Sequence, residues 1–180
     1  MRTVVIYEGP EIDPVDTGEV RIIASPHDLL VQRAIEEYAG GADRIELCGA
    51  VGPLPQAAIL DAIPTAAVGA VLYGFESLDN IAAYKTAYAA GEKLQDAFLY
   101  LDRDAPATGR RQARGDTTFV AVPDSAAAGQ VAEELAAGGV TLFELYAGLG
   151  PHDAAAVWRG AARVRSDVAV GLATYPSPLA

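Results

Sequence analysis

The sequence contains one ten-residue pattern twice, at positions 44–53 and 142–151. The first copy reads RIELCGAVGP and the second LFELYAGLGP, so each combines an apolar run, a glycine-containing turn and a proline. This order is typical of a buried strand that leads through a tight turn into a helix. In both copies a glutamate, Glu46 or Glu144, stands in the middle of the apolar run. The pattern therefore places a carboxylate inside a core strand twice.

A buried carboxylate needs compensation from its surroundings. Burying an unpaired charge is costly, so each glutamate is expected to meet a polar partner, water, a metal or a ligand. Because side chains alternate along a strand, Glu46 shares a face with Cys48. Glu144 shares a face with Tyr146 in the same way. Burial also raises the pKa of a carboxyl and so suits it to act as a base. The candidate catalytic residues are therefore the two glutamates together with Cys48 and Tyr146, which share their faces.

The rest of the chain repeats around these two strands, with a spacing of roughly 93 to 102 residues that far exceeds solenoid periods. Residues 1–77 are predicted to form a first repeat, 78–95 a connecting helix and 96–180 a second repeat, together making one pseudo-symmetric unit. Each repeat is predicted to run strand, long loop, strand, helix, strand, helix, strand. Besides the strands around Glu46 and Glu144, the predicted strands are 3–7, 20–24, 67–73, 97–101, 118–122 and 168–175, and the predicted helices are 26–38, 56–62, 78–94 and 154–164, with another around 131–135.

Strands separated by helices favour an α/β fold with mostly parallel strands. Two architectures fit this internally duplicated pattern. If the first two strands of each repeat are parallel, the repeats can close into a shortened relative of the (βα)8 barrel. If the long loop instead makes a hairpin, each repeat is a ferredoxin-like two-layer half. The apolar first strand favours the barrel-like arrangement, while the short chain counts against it.

Charge and cysteine content exclude several classes of protein. A net charge of −11 and a pI near 4.5 argue against a nucleic-acid partner, because phosphate binding needs a basic surface. The one basic cluster, residues 110–114, is predicted to be a solvated loop. The single cysteine excludes an internal disulfide framework and the cysteine-pair zinc motifs, so a cytoplasmic location is expected. No apolar run approaches the roughly 20 residues of a membrane span, and no membrane partner is expected.

Polar and aromatic residues collect where the predicted strands end, which is where parallel α/β sheets bind ligands. The candidate substrate-binding residues are Tyr7, Glu8, His27, Gly49, Gly52, Tyr73, Gly148, Gly150 and Tyr175. The glycines precede helices whose free amides could hold a phosphate or carboxylate. The alternative is ordinary structure: polar residues cap helices, glycines make tight turns, and Cys48 is a small buried hydrophobic residue. No nucleotide, flavin or nicotinamide fingerprint is present, so no cofactor is predicted.

Two resemblances to known families add expectations. Residues 41–48, GADRIELC, resemble the strand motif of the CutC copper homeostasis family, and this implies a (βα)8 barrel and a link to copper. More of the chain resembles a group of uncharacterised bacterial proteins about one repeat long, with an IYxGP start and an IELCGxxGP core, here residues 6–10 and 45–53. That resemblance implies that single-repeat relatives pair as homodimers and that this chain is such a pair fused. It implies no activity.

The leading functional hypothesis is an enzyme that transfers a proton on a small anionic or carbonyl-bearing molecule, as an isomerase, lyase or cyclase. Glu46 would be the general base, Cys48 or Tyr146 the partnering acid, and the turn at 49–52 would hold the substrate's charged group. One alternative is a non-catalytic protein that binds a small molecule in the same place. Another is a metal-handling protein, and whether the chain is a monomer or a homodimer stays open.

Overall fold

The structure is a computed structural model that describes residues 1–176. The chain divides into two units. Unit 1 consists of Met1–Leu72 and the described residues from Ala173 onward, and unit 2 is Tyr73–Leu172. The divisions fall near the ends of two strands.

Unit 1 contains one mixed sheet and two helices. Its described elements are β1 (Thr3–Glu8), β2 (Val15–Asp16), β3 (Val20–Ser25), α1 (Leu30–Ala39), β4 (Arg44–Leu47), α2 (Pro53–Ala62) and β5 (Ala67–Tyr73), with a 3-10 turn at His27–Leu29 before α1. The strand order within this unit is β2-β3-β1-β4-β5. All neighbours are parallel except β2, which is antiparallel to β3. The glutamate strand β4 is thus an inner strand, which is why both of its faces are buried.

Unit 2 has the same order of elements after an additional helix. Its described elements are α3 (Leu78–Ala89), β6 (Asp96–Leu101), β7 (Arg110–Arg114), β8 (Thr117–Val122), α4 (Ser125–Ala137), β9 (Leu142–Tyr146), α5 (Pro151–Ala161) and β10 (Ala169–Thr174), with a 3-10 turn at Phe75–Ser77 before α3. The strand order within this unit is β10-β9-β6-β8-β7, and only the β7–β8 pair is antiparallel. The second glutamate strand, β9, is therefore also an inner strand.

The apolar residues of the long strands build the cores. In unit 1 the buried side chains include Val5, Ile6 and Ile45 from the sheet, with Leu30 and Ile59 from the helices. Helices α1 and α2 end at Ala39 and Ala62, close to the predicted positions, whereas α3 ends at Ala89 and not at the predicted residue 94. Gly41 follows α1 with a φ of 94°, and Gly139 follows α4 with a φ of 111°, so both occupy the left-handed position that glycine favours after a helix.

The predicted α/β class with mostly parallel strands is confirmed. The ferredoxin-like alternative is wrong, since it needs a hairpin between the first two long strands of each repeat. Instead β1 pairs in parallel with β3, and β6 with β8. Barrel closure stays a prediction.

Two short edge strands lie in segments that were predicted to be loops. β2 interrupts the first long loop, and β7 is formed by the arginine-rich residues 110–114. The prediction of a solvated loop at this cluster is therefore wrong for the backbone, although Arg110 and Arg111 are exposed. Antiparallel pairing with β8 positions the strand, and two ion pairs accompany it: Arg110 contacts Asp102 at 2.6 Å, and Arg111 contacts Glu134 at 2.5 Å. These long-range partners are invisible in a local sequence pattern.

Within residues 1–176, no helix is both long and apolar enough to cross a membrane.

Helices α4 and α5 of unit 2 pack closely where Gly129 faces Gly160. A β-carbon added at Gly160 would overlap the Gly129 carbonyl oxygen. We expect Gly160→Ala to lower the free energy of unfolding by about 1–3 kcal/mol, because backbone cannot move aside as a side chain can. Urea unfolding followed by the fluorescence of the single tryptophan, Trp158, measures the loss. The exposed neighbour Arg159→Ala serves as the control and should stay within about 0.5 kcal/mol; equal effects would contradict the packing argument.

Candidate functional site

Glu46 is buried in β4 and is held by a tyrosine from a distant part of the chain. Only 2% of Glu46 is exposed. The Tyr175 hydroxyl donates a hydrogen bond of 2.6 Å to Glu46 Oε1. The Arg44 guanidinium lies 5.5 Å from the centre of the Tyr175 ring, within the range of a cation–π contact. The expected polar partner of the buried carboxylate is thus found, and it is a phenol.

The surroundings keep this phenol protonated. Burial raises the pKa of Tyr175 above its ordinary value of 10.0, and the nearby charge of Glu46 raises it further, while Arg44 acts in the opposite direction. A protonated hydroxyl is a donor, and an ionised carboxylate is an acceptor only. The pair is therefore arranged with Tyr175 as the donor and Glu46 as the acceptor.

A glycine beside Glu46 makes room for this tyrosine. Gly69 of β5 is the register partner of Glu46. A β-carbon at Gly69 would lie 3.1 Å from two ring atoms of Tyr175 and 3.1 Å from the Thr174 carbonyl oxygen. Glycine within a strand often marks a close approach of this kind, so Gly69 belongs to the site even though it carries no side chain.

Three further candidate residues meet at the end of β1. The Glu8 amide donates to Cys48 Sγ at 3.3 Å, and the Glu8 carboxylate contacts His27 Nδ1 at 3.0 Å. Cys48 is buried, whereas the His27 side chain is 62% exposed. Tyr7, also buried, precedes Glu8 in β1. The structure thus joins Cys48, Glu8 and His27 into one cluster in unit 1.

Glu144, in unit 2, accepts hydrogen bonds from two tyrosines. It is also 2% exposed, and its two carboxylate oxygens accept hydrogen bonds from different tyrosines, Oε1 from Tyr73 and Oε2 from Tyr146. The Tyr146 ring packs against Phe98, with ring centres 5.5 Å apart. Gly171 of β10 is the register partner of Glu144, as Gly69 is of Glu46. Each unit therefore combines a buried glutamate with a neighbouring glycine and a tyrosine that donates to the carboxylate.

The glycine turns offer fewer amides than the sequence suggests. Gly52 precedes α2, but Pro53 and Pro55 occupy the first and third helical positions and have no N–H to donate. Gly49 lies in the preceding turn. Before α5, the Gly150 amide donates at 2.7 Å to Asp153 Oδ2, so a carboxylate of the protein already occupies that helix start. Gly148, with a φ of 97°, serves the turn itself.

Cavities lie beside helices in both units. One of about 400 Å³ in unit 1 is lined by His27, Val31, Gly52, Pro53, Leu54, Pro55 and Ala58. Another of about 270 Å³ in unit 2 lies between α4 and α5. In the described chain, 1–176, no three or more His, Cys, Asp or Glu side chains form a group that could hold a metal ion.

Sequence reasoning missed Arg44, Gly69 and a further buried carboxyl, Asp96. The signal for Gly69 was present, because a glycine inside an apolar strand recurs at Gly171. Asp96 begins β6 and accepts a hydrogen bond of 3.0 Å from the Tyr84 hydroxyl. Burial raises the pKa of Asp96, and hydrogen bonds from Thr117 and Tyr84 oppose that effect.

Comparison with known proteins identifies a family match for part of the chain. Residues 95–178 match the model of a family of unknown function, DUF6506. The matched residues coincide with most of the predicted second repeat. A search of curated proteins finds no match.

One solved structure is similar over most of the chain. It is an ABC transporter system solute-binding protein from Aeropyrum pernix K1, with 13% sequence identity and a TM-score of 0.30. The alignment covers 91% of this chain and 59% of that protein, so the chain spans less than two thirds of its length. A similarity of this size does not indicate a shared function.

Loss of the Tyr175 hydroxyl should destabilise the protein in a pH-dependent way. We expect Tyr175→Phe to cost about 1.5–3 kcal/mol, because a buried carboxylate loses a donor. The raised pKa of Tyr175 means that its contribution is present below the unfolded-state value of 10.0 and is lost as pH rises through the folded-state value. The difference in unfolding free energy between wild type and variant should therefore shrink above pH 10.0.

Urea unfolding at a series of pH values measures this difference. The control is Tyr88→Phe, which removes the hydroxyl of a side chain that is 66% exposed and should change stability by no more than about 0.5 kcal/mol. A Tyr175→Phe effect as small as that of the control would show that the hydroxyl does not stabilise Glu46.

The raised pKa of the partly buried Asp96 carboxyl should make its own contribution to stability smaller at neutral pH than in acid. Its pKa is raised on folding, so the stability it contributes is fully present below pH 3.8, the unfolded-state pKa. That stability is lost as the pH rises through the folded-state pKa. We expect Asp96→Asn to gain roughly 1 kcal/mol at neutral pH relative to wild type, since the amide carries no charge. Exposed Asp104→Asn is the control for the unfolding measurement. A variant equally destabilised at all pH values would contradict this account.

Proposed function

We propose that this protein is an enzyme that moves a proton on a small carbonyl-bearing or anionic molecule, as an isomerase, lyase or cyclase, with Glu46 as the general base. The observation that carries the proposal is the buried carboxylate of Glu46, which accepts a 2.6 Å hydrogen bond from Tyr175. A carboxylate removed from water and aligned by a defined donor is well suited to accept a proton from a substrate.

Glu46 is a better candidate for the general base than Glu144. The two strands differ at the residue two positions after the glutamate. In unit 2 that residue is Tyr146, whose hydroxyl binds Glu144 Oε2 while Tyr73 binds Oε1. With two phenols on one carboxylate, Glu144 is suited to hold unit 2 together. In unit 1 the corresponding residue is the much smaller Cys48, whose sulfur accepts a hydrogen bond from the Glu8 amide.

Cys48 is the candidate acid in this scheme. Alternation along the strand places it on the same face as Glu46. Its sulfur accepts the Glu8 amide, and a thiol can also donate its S–H, here to a substrate oxygen. Glu46 would take a proton from the carbon beside a carbonyl, and Cys48 would stabilise the negative charge that develops on the oxygen. The Glu8–His27 pair lies next to this thiol.

We also propose that the two units descend from one duplicated half. They share the order of elements, the strand pairing, a left-handed glycine after the helix that precedes each glutamate strand, and the register of glutamate with glycine. The cytoplasmic location and the choice between monomer and homodimer stay predictions.

Hydrogen exchange at carbon tests the function even though the substrate is unknown. The protein is incubated in heavy water with pyruvate, oxaloacetate, acetoacetate or phenylpyruvate, and deuterium uptake beside the carbonyl is followed by NMR against a protein-free blank. We expect exchange of at least one compound, and a loss of about 10²–10⁴-fold in Glu46→Gln, because the amide cannot accept the proton.

Two variants serve as controls for that experiment. Exposed Glu76→Gln should exchange at the wild-type rate. Glu144→Gln reports on unit 2: retained exchange supports chemistry at Glu46, whereas exchange lost only in Glu144→Gln would assign it to unit 2. Undiminished exchange in a folded Glu46→Gln protein would exclude Glu46 as the base. Binding of a compound without exchange would favour the non-catalytic binding protein.

A further inference from the structure

We propose that the Tyr175 side chain occupies the place of a ligand, and that unit 1 binds at Glu46 a flat ring bearing a hydroxyl on an unsaturated carbon, a phenol or a cyclic enol, once Tyr175 moves aside. This inference names a substrate class for the site and rests on the proposed role of Glu46.

The contacts of Tyr175 are those expected of a bound phenol. Its hydroxyl donates a 2.6 Å hydrogen bond to Glu46 Oε1, and its ring centre lies 5.5 Å from the Arg44 guanidinium. The backbone at Gly69 is so close that a β-carbon there would stand 3.1 Å from the ring. The Glu46 carboxylate would bind the ligand's hydroxyl, and the Arg44 guanidinium would contact the π-face of its ring. The backbone at Gly69 leaves room only for a flat group.

Gly69 allows the Tyr175 ring and the Thr174 carbonyl to lie close to β5. Glycine inside a strand loses more conformational freedom on folding than a residue with a side chain, and it adds no packing. Its position directly beside Glu46 in the sheet leaves a flat floor next to the carboxylate. A β-carbon at this position would stand 3.1 Å from the ring, which is tighter than an ordinary van der Waals contact.

Tyr175 is held less firmly than Tyr146, which binds the other glutamate. It follows the last residue of β10, Thr174, and lies outside any strand, with a partly exposed side chain. Tyr146, by contrast, is part of β9 and is 1% exposed. Displacing Tyr175 breaks its hydrogen bond to Glu46 and its contact with Arg44, and an incoming phenol or enol restores both.

The chemistry of an enol fits Glu46 as a base. In the keto form, the Glu46 carboxylate removes a proton from the carbon beside the carbonyl. The C–H electron pair forms the new C=C bond, and the C=O π pair moves to oxygen. The resulting enolate oxygen then takes the same proton from Glu46, which returns to its ionised form. The product hydroxyl has the position that the Tyr175 hydroxyl has in this structure, and no other reactant is consumed.

The first test uses the wild-type protein with p-cresol, which carries the ring and hydroxyl of tyrosine. Tyrosine rings are labelled with ¹³C, and the Tyr175 signal is identified by its absence in Tyr175→Phe. We expect p-cresol to shift the Tyr175 signal and toluene, which lacks the hydroxyl, to leave it unchanged. The inference would be overturned if saturating p-cresol left the chemical shift of Tyr175 unchanged, or if toluene changed it equally.

The second test opens the site with Tyr175→Ala and measures binding by isothermal titration calorimetry. We expect p-cresol to bind this variant about tenfold more tightly than toluene, the preference that a hydrogen bond to a charged group provides. Adding Glu46→Gln should remove most of that preference, and adding Gly69→Ala should weaken binding of both compounds, because a β-carbon there would stand 3.1 Å from the ring position. Equal affinities for p-cresol and toluene would contradict hydroxyl recognition. If Tyr175→Ala does not fold, the wild-type experiment decides.

These binding results are separate from the exchange assay. If p-cresol binds as expected but no carbonyl compound exchanges deuterium, the ligand class stands and the proposed enzyme activity fails. If a compound exchanges in a Glu46-dependent way but p-cresol neither moves Tyr175 nor binds the opened site, the activity stands and the ligand class is wrong.

Discussion

The structure depends on how each unit compensates a carboxylate that it buries. Glu46 and Glu144 are both 2% exposed on inner strands, where an uncompensated charge would cost more than the fold can supply. Each is compensated by phenol hydroxyls rather than left to water. A phenol brings a donor and a large apolar ring together, so it can satisfy the charge and fill the core at once. This explains why tyrosines stand at the ends of β5 and β10.

Similar architecture leads to different sites in the two units. A glutamate, its glycine neighbour and a tyrosine donor occur in both, but Tyr146 adds a second hydroxyl to Glu144 while Cys48 stands at the equivalent place after Glu46. A carboxylate held at both oxygens is fixed in position. At Glu46 the equivalent residue is the smaller Cys48, and the donor Tyr175 is partly exposed. The asymmetry, more than the glutamate itself, directs attention to unit 1.

Much of the local structure was predictable because its signals are local. Apolar runs marked the long strands, and the paired glycines after α1 and α4 marked their ends, as the φ values of Gly41 and Gly139 show. Candidate residues such as Tyr73 and Tyr175 were found by reading strand ends. Their partners were not, because Tyr175 and Glu46 are 129 positions apart and Tyr73 and Glu144 are 71 apart. The edge strand at residues 110–114 was missed for the same reason.

By itself the sequence determined that two glutamates would be buried in core strands, since an apolar run on an inner parallel strand has no solvated face. It also determined the α/β class and, through the glycines that follow them, the ends of α1 and α4. Only the tertiary structure decided which hydroxyl reaches which carboxylate, that Gly69 lies beside Glu46, and that Asp153 occupies the start of α5. Those outcomes depend on strand register and long-range packing, and no local pattern carries that information.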